Sequence, residues 1–229
     1  MKKTKNIIII GCGSIGFRYL EGILSSNCNF NLELTIVDKS KKSINSAKEL
    51  ISLNNLNVKK FKINWSSNLK NIFDFFDLAI ISTTAKDRAS ISQELSKKSV
   101  IDYWIFEKVL TQTLEDLKTL SNITKSSKEA WVNLPRRLMP WFQKLKNELE
   151  IYAPFCVKRT GGLWAMCSNT VHWLDLVSWW SNEDLASINT DKLNRNWFES
   201  KRVGNFENTG EIECKYSRGS KLVLKSEKK

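Results

Sequence analysis

The run Ile7-Ile8-Ile9-Ile10, followed at once by Gly11-Cys12-Gly13-Ser14-Ile15-Gly16, constrains the fold more than any other feature of the chain. Four consecutive β-branched residues suit a strand covered on both faces, as happens where helices flank a parallel sheet. The glycines ask for a tight turn, and the apolar spacing from Ile15 to Leu24 predicts a helix directly behind it. Strand, glycine turn and helix in that order form the first half of a βαβ unit, so the chain opens as an α/β fold.

The same alternation continues to Val132. Strands are expected at Leu34–Val37, Val58–Ile63, Leu78–Ser82, Val100–Phe106 and Trp131–Val132, with helices around Lys42–Leu53, Lys86–Lys97 and Thr113–Lys125. Near Pro135 the pattern changes. A helix-like stretch runs to Leu149, then come a strand at Phe155–Lys158, a Gly161-Gly162 turn, an aromatic helix from about Thr170 to Trp180, and alternating runs at Glu211–Tyr216 and Lys221–Leu224. The reading is a doubly wound Rossmann domain over 1–134, then a shortened α+β domain with an antiparallel sheet over 135–229.

Composition narrows the function classes. At 229 residues with 41% hydrophobic and 26% charged side chains, the chain can bury a core without staples, and its longest early apolar run is too short for a membrane span or signal-peptide core. A cytoplasmic protein is expected. Five cysteines without a CxxC pair argue for reduced thiols, and a single histidine, His172, removes most zinc sites, so no metal is expected. The net charge of +12 suits an anionic small molecule, a nucleic acid or a membrane surface, but its lysines are scattered beside abundant Asn and Ile, as coding bias alone would leave them.

The glycine motif carries the most chemistry. Gly11 permits the turn, Gly13 lets backbone approach a pyrophosphate, and Gly16 allows close helix–strand packing. The helix start at Ser14 and Ile15 offers amide hydrogens to phosphate. Asp38, closing the second strand, would accept from ribose hydroxyls and favour NAD, whereas Lys39 and Lys41 could neutralise the extra phosphate of NADP. A methyltransferase also opens with a Gly-x-Gly turn, but the third glycine falls at the dinucleotide spacing. Polar residues follow later strands at the same edge: Ser82-Thr83-Thr84, Glu107-Lys108, and Asn133-Leu134-Pro135-Arg136-Arg137.

These motifs, with His172-Trp173-Leu174-Asp175 on the aromatic helix, together resemble the Gfo/Idh/MocA oxidoreductases, named for glucose–fructose oxidoreductase and inositol dehydrogenase. The likeness extends from about Asn6 to Trp180 and is greatest to a subgroup associated with cell-surface polysaccharide sugars. It implies NAD or NADP held by Gly11, Gly13, Ser14, Ile15, Gly16, Asp38, Lys39, Thr83, Thr84, Glu107 and Lys108. It implies a sugar or nucleotide-sugar substrate met by Arg136, Asn169 and His172, with Lys108 stabilising charge on the substrate oxygen and His172 as general base. Asp175 either orients the imidazole or only stabilises the helix. The family pattern has proline where Val109 stands, often histidine where Arg88 stands, and aspartate where Ser168 stands. Its second domain is a broad sheet with one face for substrate and one for oligomers, so a homo-oligomer through the C-terminal sheet is expected, although few strands follow Trp180 here.

The leading expectation is an NAD(P)-dependent oxidoreductase acting on a sugar hydroxyl or carbonyl. Ser168 and the short C-terminal part also suit a non-catalytic remnant that binds a dinucleotide or sugar nucleotide. A basic nucleic-acid-binding protein rests on charge and on the aromatic stretch from Asn194 to Arg202.

Overall fold

The four isoleucines divide between two cores. In the computed structural model, which describes residues 3–200 and 204–227, they end strand β1 (Thr4–Ile10), with Ile7 and Ile9 in one apolar cluster and Ile8 and Ile10 in another. The first cluster takes Phe17, Leu20 and Leu24 from helix α1 (Ser14–Leu24) and Ile44, Ala47 and Ile51 from α2 (Lys41–Leu53). The second takes Ala89 and Leu95 from α3 (Ala85–Ser96) and Leu120 from α4 (Leu114–Thr124). Helices α1 and α2 each supply an apolar stripe at helical spacing, and the strand supplies both faces. Burying each of the isoleucine, leucine and phenylalanine side chains contributes about 1.5–3 kcal/mol.

Strands β2 (Asn31–Val37), β3 (Phe61–Ser66), β4 (Phe75–Ile81), β5 (Val100–Phe106) and β6 (Glu129–Val132) complete a six-stranded sheet in the order β3-β2-β1-β4-β5-β6. Every pairing in it is parallel. This is the doubly wound order, with its crevice at the carboxyl edge where β1 and β4 part to opposite sides. The third strand begins later than the β-branched content suggests: Val58–Lys60 form a 3-10 turn, and pairing starts where Phe61 comes opposite Leu32.

The chain divides into two compact units, Met1–Asn133 and Leu134–Lys229. The second unit starts with a 3-10 turn at Pro135–Leu138 and helix α5 (Pro140–Leu149), followed by β7 (Cys156–Gly161), α6 (Met166–Ser181) and β8 (Leu185–Asn189). The short strands β9 (Phe198–Glu199) and β10 (Phe206–Glu207) pair with each other, and β11 (Gly210–Tyr216) and β12 (Lys221–Ser226) complete the larger sheet. Its order is β7-β12-β11-β8, and it is mixed rather than antiparallel, because β7 runs parallel to β12 while β11 is antiparallel to both its neighbours. From edge strand β7 the chain crosses through α6 to β8 at the opposite edge, and β12, the last strand, comes back to lie parallel beside β7.

Helix α6 covers one face of that sheet. Met166, Leu176, Val177 and Trp180 pack on Ile212, Cys214, Tyr216, Leu222 and Leu224. The pleat turns the alternate residues away from the helix, and these are mostly charged: Lys158, Glu211, Glu213, Lys215, Lys221 and Lys225. Among the described residues no helix is long and apolar enough to cross a membrane. The basic aromatic stretch is described only as far as Ser200; Lys201 and Arg202 lie outside the described residues.

Candidate nucleotide site and the residues around it

The carboxyl edge of the six-stranded sheet is built by a continuing ladder. Beyond the strand ends, the Gly11 amide donates to the Val37 carbonyl at 2.8 Å, Ser82 to Ile10 at 2.9 Å, Glu107 to Ile81 at 3.1 Å and Asn133 to Phe106 at 2.7 Å. Each polar strand end is thereby set by its neighbour. Ser82 Oγ ties two of the turns together, donating to the Gly11 carbonyl at 2.6 Å.

The three glycines have three different reasons. Gly11 has φ +90°, a region that L side chains rarely adopt. A Cβ on Gly16 would lie 1.8 Å from the Gly11 carbonyl oxygen, so helix and turn touch backbone to backbone there. Above Gly13 there is open space, with no atom within 4 Å of a Cβ built on it. Gly13 is also the N-cap of α1; it provides no side-chain cap, and the first turn, with Ser14 and Ile15, holds no acidic residue. By contrast, α2 and α4 start at the same edge and are capped by their own side chains, Ser40 on the Ser43 amide and Thr113 on the Asp116 amide. The first-turn amides of α1 therefore receive no side-chain cap, the arrangement in which helix N-termini accept anions.

Asp38 braces this turn. Its Oδ2 accepts from the Cys12 amide and its Oδ1 from the Ser40 amide, both at 2.8 Å. Burial, then the charge of Asp38 and a hydrogen bond to it, push the Cys12 thiol up to about 12, so it stays protonated at neutral pH. Lys39 is exposed and pairs with Asp87 at 3.3 Å. Thr84 is the N-cap of α3 and, like Gly13, makes no side-chain cap. The Thr83 hydroxyl is buried and has no hydrogen-bond partner among the described residues.

Glu107 is buried at the end of β5. Its Oε1 accepts from Tyr19 Oη at 2.7 Å and from Asn133 Nδ2 at 2.6 Å, and its Oε2 accepts from the Lys108 amide at 3.2 Å. Burial and the Glu107 carboxylate push the Tyr19 hydroxyl well above its ordinary pKa. Arg88 is 1% exposed and clamps two turns together, donating to the carbonyls of Thr83, Val109 and Leu110. Burial pulls its pKa down to about 10, against the nearby Glu107 charge. The Lys108–Val109 peptide, where the family pattern has proline, is cis.

In the second unit His172 is buried on α6. Asp175, three residues on, accepts two hydrogen bonds from Arg137, at 2.8 Å to Nε and 2.6 Å to Nη2, which docks the Pro135–Leu138 turn on the helix. The start of α6 is capped from outside: Glu207 of β10 accepts from the Cys167 and Ser168 amides at 2.8 and 3.3 Å and from Ser168 Oγ at 2.6 Å. Asn169 Nδ2 donates back to the carbonyls of Trp164 and Ala165 at 3.2 and 3.0 Å, leaving its Oδ1 as the remaining acceptor. Arg136 lies with its guanidinium carbon 5.1 Å from the Trp173 ring centre.

Gly11, Gly13, Ser14, Ile15, Gly16, Asp38, Lys39, Thr83, Thr84, Glu107 and Lys108 therefore gather at one sheet edge of the first unit, while Arg136, Asn169 and His172 belong to the second. Solved structures share the fold of the chain. A myo-inositol dehydrogenase from Lactobacillus casei, in complex with NAD(H) and myo-inositol, superposes with a TM-score of 0.70 at 17% identity, over 98% of this chain and 68% of that one. The chain has the Gfo/Idh/MocA fold. The WlbA dehydrogenase of Chromobacterium violaceum, in complex with NADH and UDP-GlcNAcA, has the same Gfo/Idh/MocA fold, with a TM-score of 0.73 at 17% identity, over 99% of this chain and 68% of that one. A UDP-N-acetylglucosamine 3-dehydrogenase, GnnA, from Acidithiobacillus ferrooxidans gives 0.68 at 12% identity, over 98% and 70%. No family model matches the chain, and no curated protein does.

Sequence reasoning did not single out Tyr19 or Glu207 as site residues. Tyr19 and Glu107 are 88 positions apart, and Ser168 and Glu207 are 39 apart, so neither pairing leaves a local signal.

Proposed function

We propose that the chain binds NAD(H) at its glycine turn and acts as an oxidoreductase, moving a hydride between the nicotinamide and a hydroxyl or carbonyl of a sugar or sugar derivative. The observation that carries this is the turn itself: open space over Gly13, an uncapped α1 and a buried, unpartnered Thr83 hydroxyl at one sheet edge. Gly11, Gly13, Ser14, Ile15 and Gly16 would hold the diphosphate, with Thr83, Thr84, Glu107 and Lys108 lining the cofactor farther along the edge. Asp38 keeps acceptor lone pairs beyond its two backbone bonds and would take the ribose hydroxyls. Lys39 is paired with Asp87, which supports a preference for NAD over NADP.

When bound, the nicotinamide supplies the hydride acceptor or donor. Lys108 would donate to the substrate oxygen and stabilise its charge, and His172 would take or return the hydroxyl proton, a role suited to an imidazole near neutral pH. Arg136 and Asn169 would orient the sugar. We place the protein in the cytoplasm as a homo-oligomer, working on sugars destined for surface polysaccharide. A non-catalytic binding role draws support from one observation, that the Ser168 hydroxyl is committed to Glu207 rather than offered to a reaction.

The test is a screen of sugars and nucleotide sugars in both directions, read by absorbance of the reduced nicotinamide. Turnover that is lost in Lys108→Ala and His172→Ala supports the reading. A substrate whose turnover survives both substitutions contradicts the assigned roles.

A further inference from the structure

Tyr19 serves helix α1 in two ways. Its ring packs against the first apolar cluster, and its hydroxyl reaches 88 positions along the chain to the Glu107 carboxylate at 2.7 Å. We propose that Tyr19 is a positioning residue for the nicotinamide end of the cofactor site, acting through Glu107 on the turn that carries Lys108. The assignment rests on the dinucleotide reading of the glycine turn, to which it adds a residue.

Glu107 is where separate segments meet. Its Oε1 accepts from Tyr19 on α1 and, at 2.6 Å, from Asn133 Nδ2 just beyond β6, while its Oε2 accepts from the Lys108 amide at 3.2 Å. A carboxylate turns easily about its terminal bond, so the two donors on one oxygen decide where the other oxygen points. Here it points at the backbone of Lys108. On the far side of that residue Arg88 donates to the carbonyls of Val109 and Leu110, so the Lys108 backbone is anchored before and after.

Packing alone does not require this arrangement. Phenylalanine would fill the place of the Tyr19 ring, and a carboxylate that is only 8% exposed costs free energy that a neutral side chain would avoid. The donors on Glu107 are a phenol, a side-chain amide and a backbone amide, all neutral, and the nearby Arg88 commits its guanidinium to carbonyls. Burial, and then the bond to Glu107, hold the Tyr19 hydroxyl well above its ordinary pKa, so it stays a donor at any working pH. Tyr19 also belongs to the helix whose first turn carries no side-chain cap. One hydrogen bond thus joins the helix assigned to the diphosphate to the turn assigned to the nicotinamide end.

Calorimetric titration of the full chain with ADP and with NADH tests this, because ADP would meet only the glycine turn and Asp38, whereas NADH would also reach Glu107 and Lys108. Tyr19→Phe, which keeps the ring in the core, should leave ADP affinity within about twofold and weaken NADH at least about fivefold, the scale of one hydrogen bond. A hydroxyl that only stabilised the fold would lower the melting temperature alone, or both affinities together. Glu107→Met keeps the volume, removes the acceptors and should weaken NADH at least as much. Adding Tyr19→Phe to it should cost nothing further, since the hydroxyl then has no carboxylate to act through. Tyr103→Phe on β5, whose ring stacks on Trp131, should change neither affinity. Unchanged NADH affinity in Tyr19→Phe, equal losses for ADP and NADH, or additive losses in the double variant overturn the positioning role and leave the dinucleotide reading standing. Absence of NADH binding by the unmodified chain overturns both.

Discussion

Gly13 and Gly16 stand three residues apart in one turn, and substituting each tests a different part of the account. Gly16→Ala puts a Cβ 1.8 Å from the Gly11 oxygen and 2.8 Å from both the Gly11 carbonyl carbon and Ser82 Oγ, so turn and helix must separate. Overpacking of this kind costs about 1–3 kcal/mol, and at about 2–4 °C per kcal/mol for a chain of this size the melting temperature should fall by about 2–12 °C. Gly13→Ala meets nothing within 4 Å, and its φ of −65° and ψ of −167° suit any residue. Restricting the unfolded chain stabilises by about 0.4–1 kcal/mol, and alanine as an N-cap costs a similar amount, so stability should hold to within about 1 kcal/mol. The added methyl instead occupies the space over the turn, and NADH affinity should drop at least about tenfold, or 1.4 kcal/mol. Thermal melts without cofactor and NADH fluorescence titrations separate the two effects. A Gly13→Ala protein that binds NADH normally, or a Gly16→Ala protein that melts normally, would refute the reasoning.

NADH should bind more tightly than NADPH, and Asp38→Ala should narrow the gap; tighter NADPH binding by the unmodified chain would shift selectivity to the neighbouring lysines. With an active substrate, Lys108→Ala or His172→Ala should lower turnover by about 10²–10⁴, as for a positioned acid–base group, while NADH affinity changes little in a parallel titration. Burial alone would raise the Glu183 pKa, but hydrogen bonds from Ser220 Oγ and from the Arg218 and Ser220 amides hold it below the ordinary carboxylate value. Its stabilisation is therefore complete above the unfolded value of about 4.3 and lost as pH falls through the folded one. Melting temperature should decline less steeply below about pH 4.3 in Glu183→Gln than in the unmodified chain, and equal slopes would contradict this.

The first unit was legible because its signals are local. Ile7 to Ile10 announce a doubly covered strand, the glycines announce the turn, and Val100–Phe106 is bounded in the sequence as it is in the fold. The second unit was less so. Strand β8, Leu185–Asn189, is exposed along its length and has no alternation to read; only its pairing with β11 makes it a strand. The parallel pairing of β7 with β12 joins segments some 65 positions apart, and periodicity says nothing about direction. At the candidate site, the residue types at strand ends were readable, but their partners were not. Nothing near Glu107 in sequence foretells Tyr19, and nothing near Ser168 foretells Glu207.

The central claim, that the glycine turn takes a dinucleotide, is tested most directly by titrating the purified full chain with NADH, NADPH and a single-stranded oligonucleotide while following nicotinamide fluorescence and oligonucleotide anisotropy. The account predicts saturable NADH binding, stronger than that of NADPH, lost in Gly13→Ala and unaffected by the oligonucleotide. Absence of NADH binding, or an oligonucleotide that binds tightly and displaces it, would contradict it.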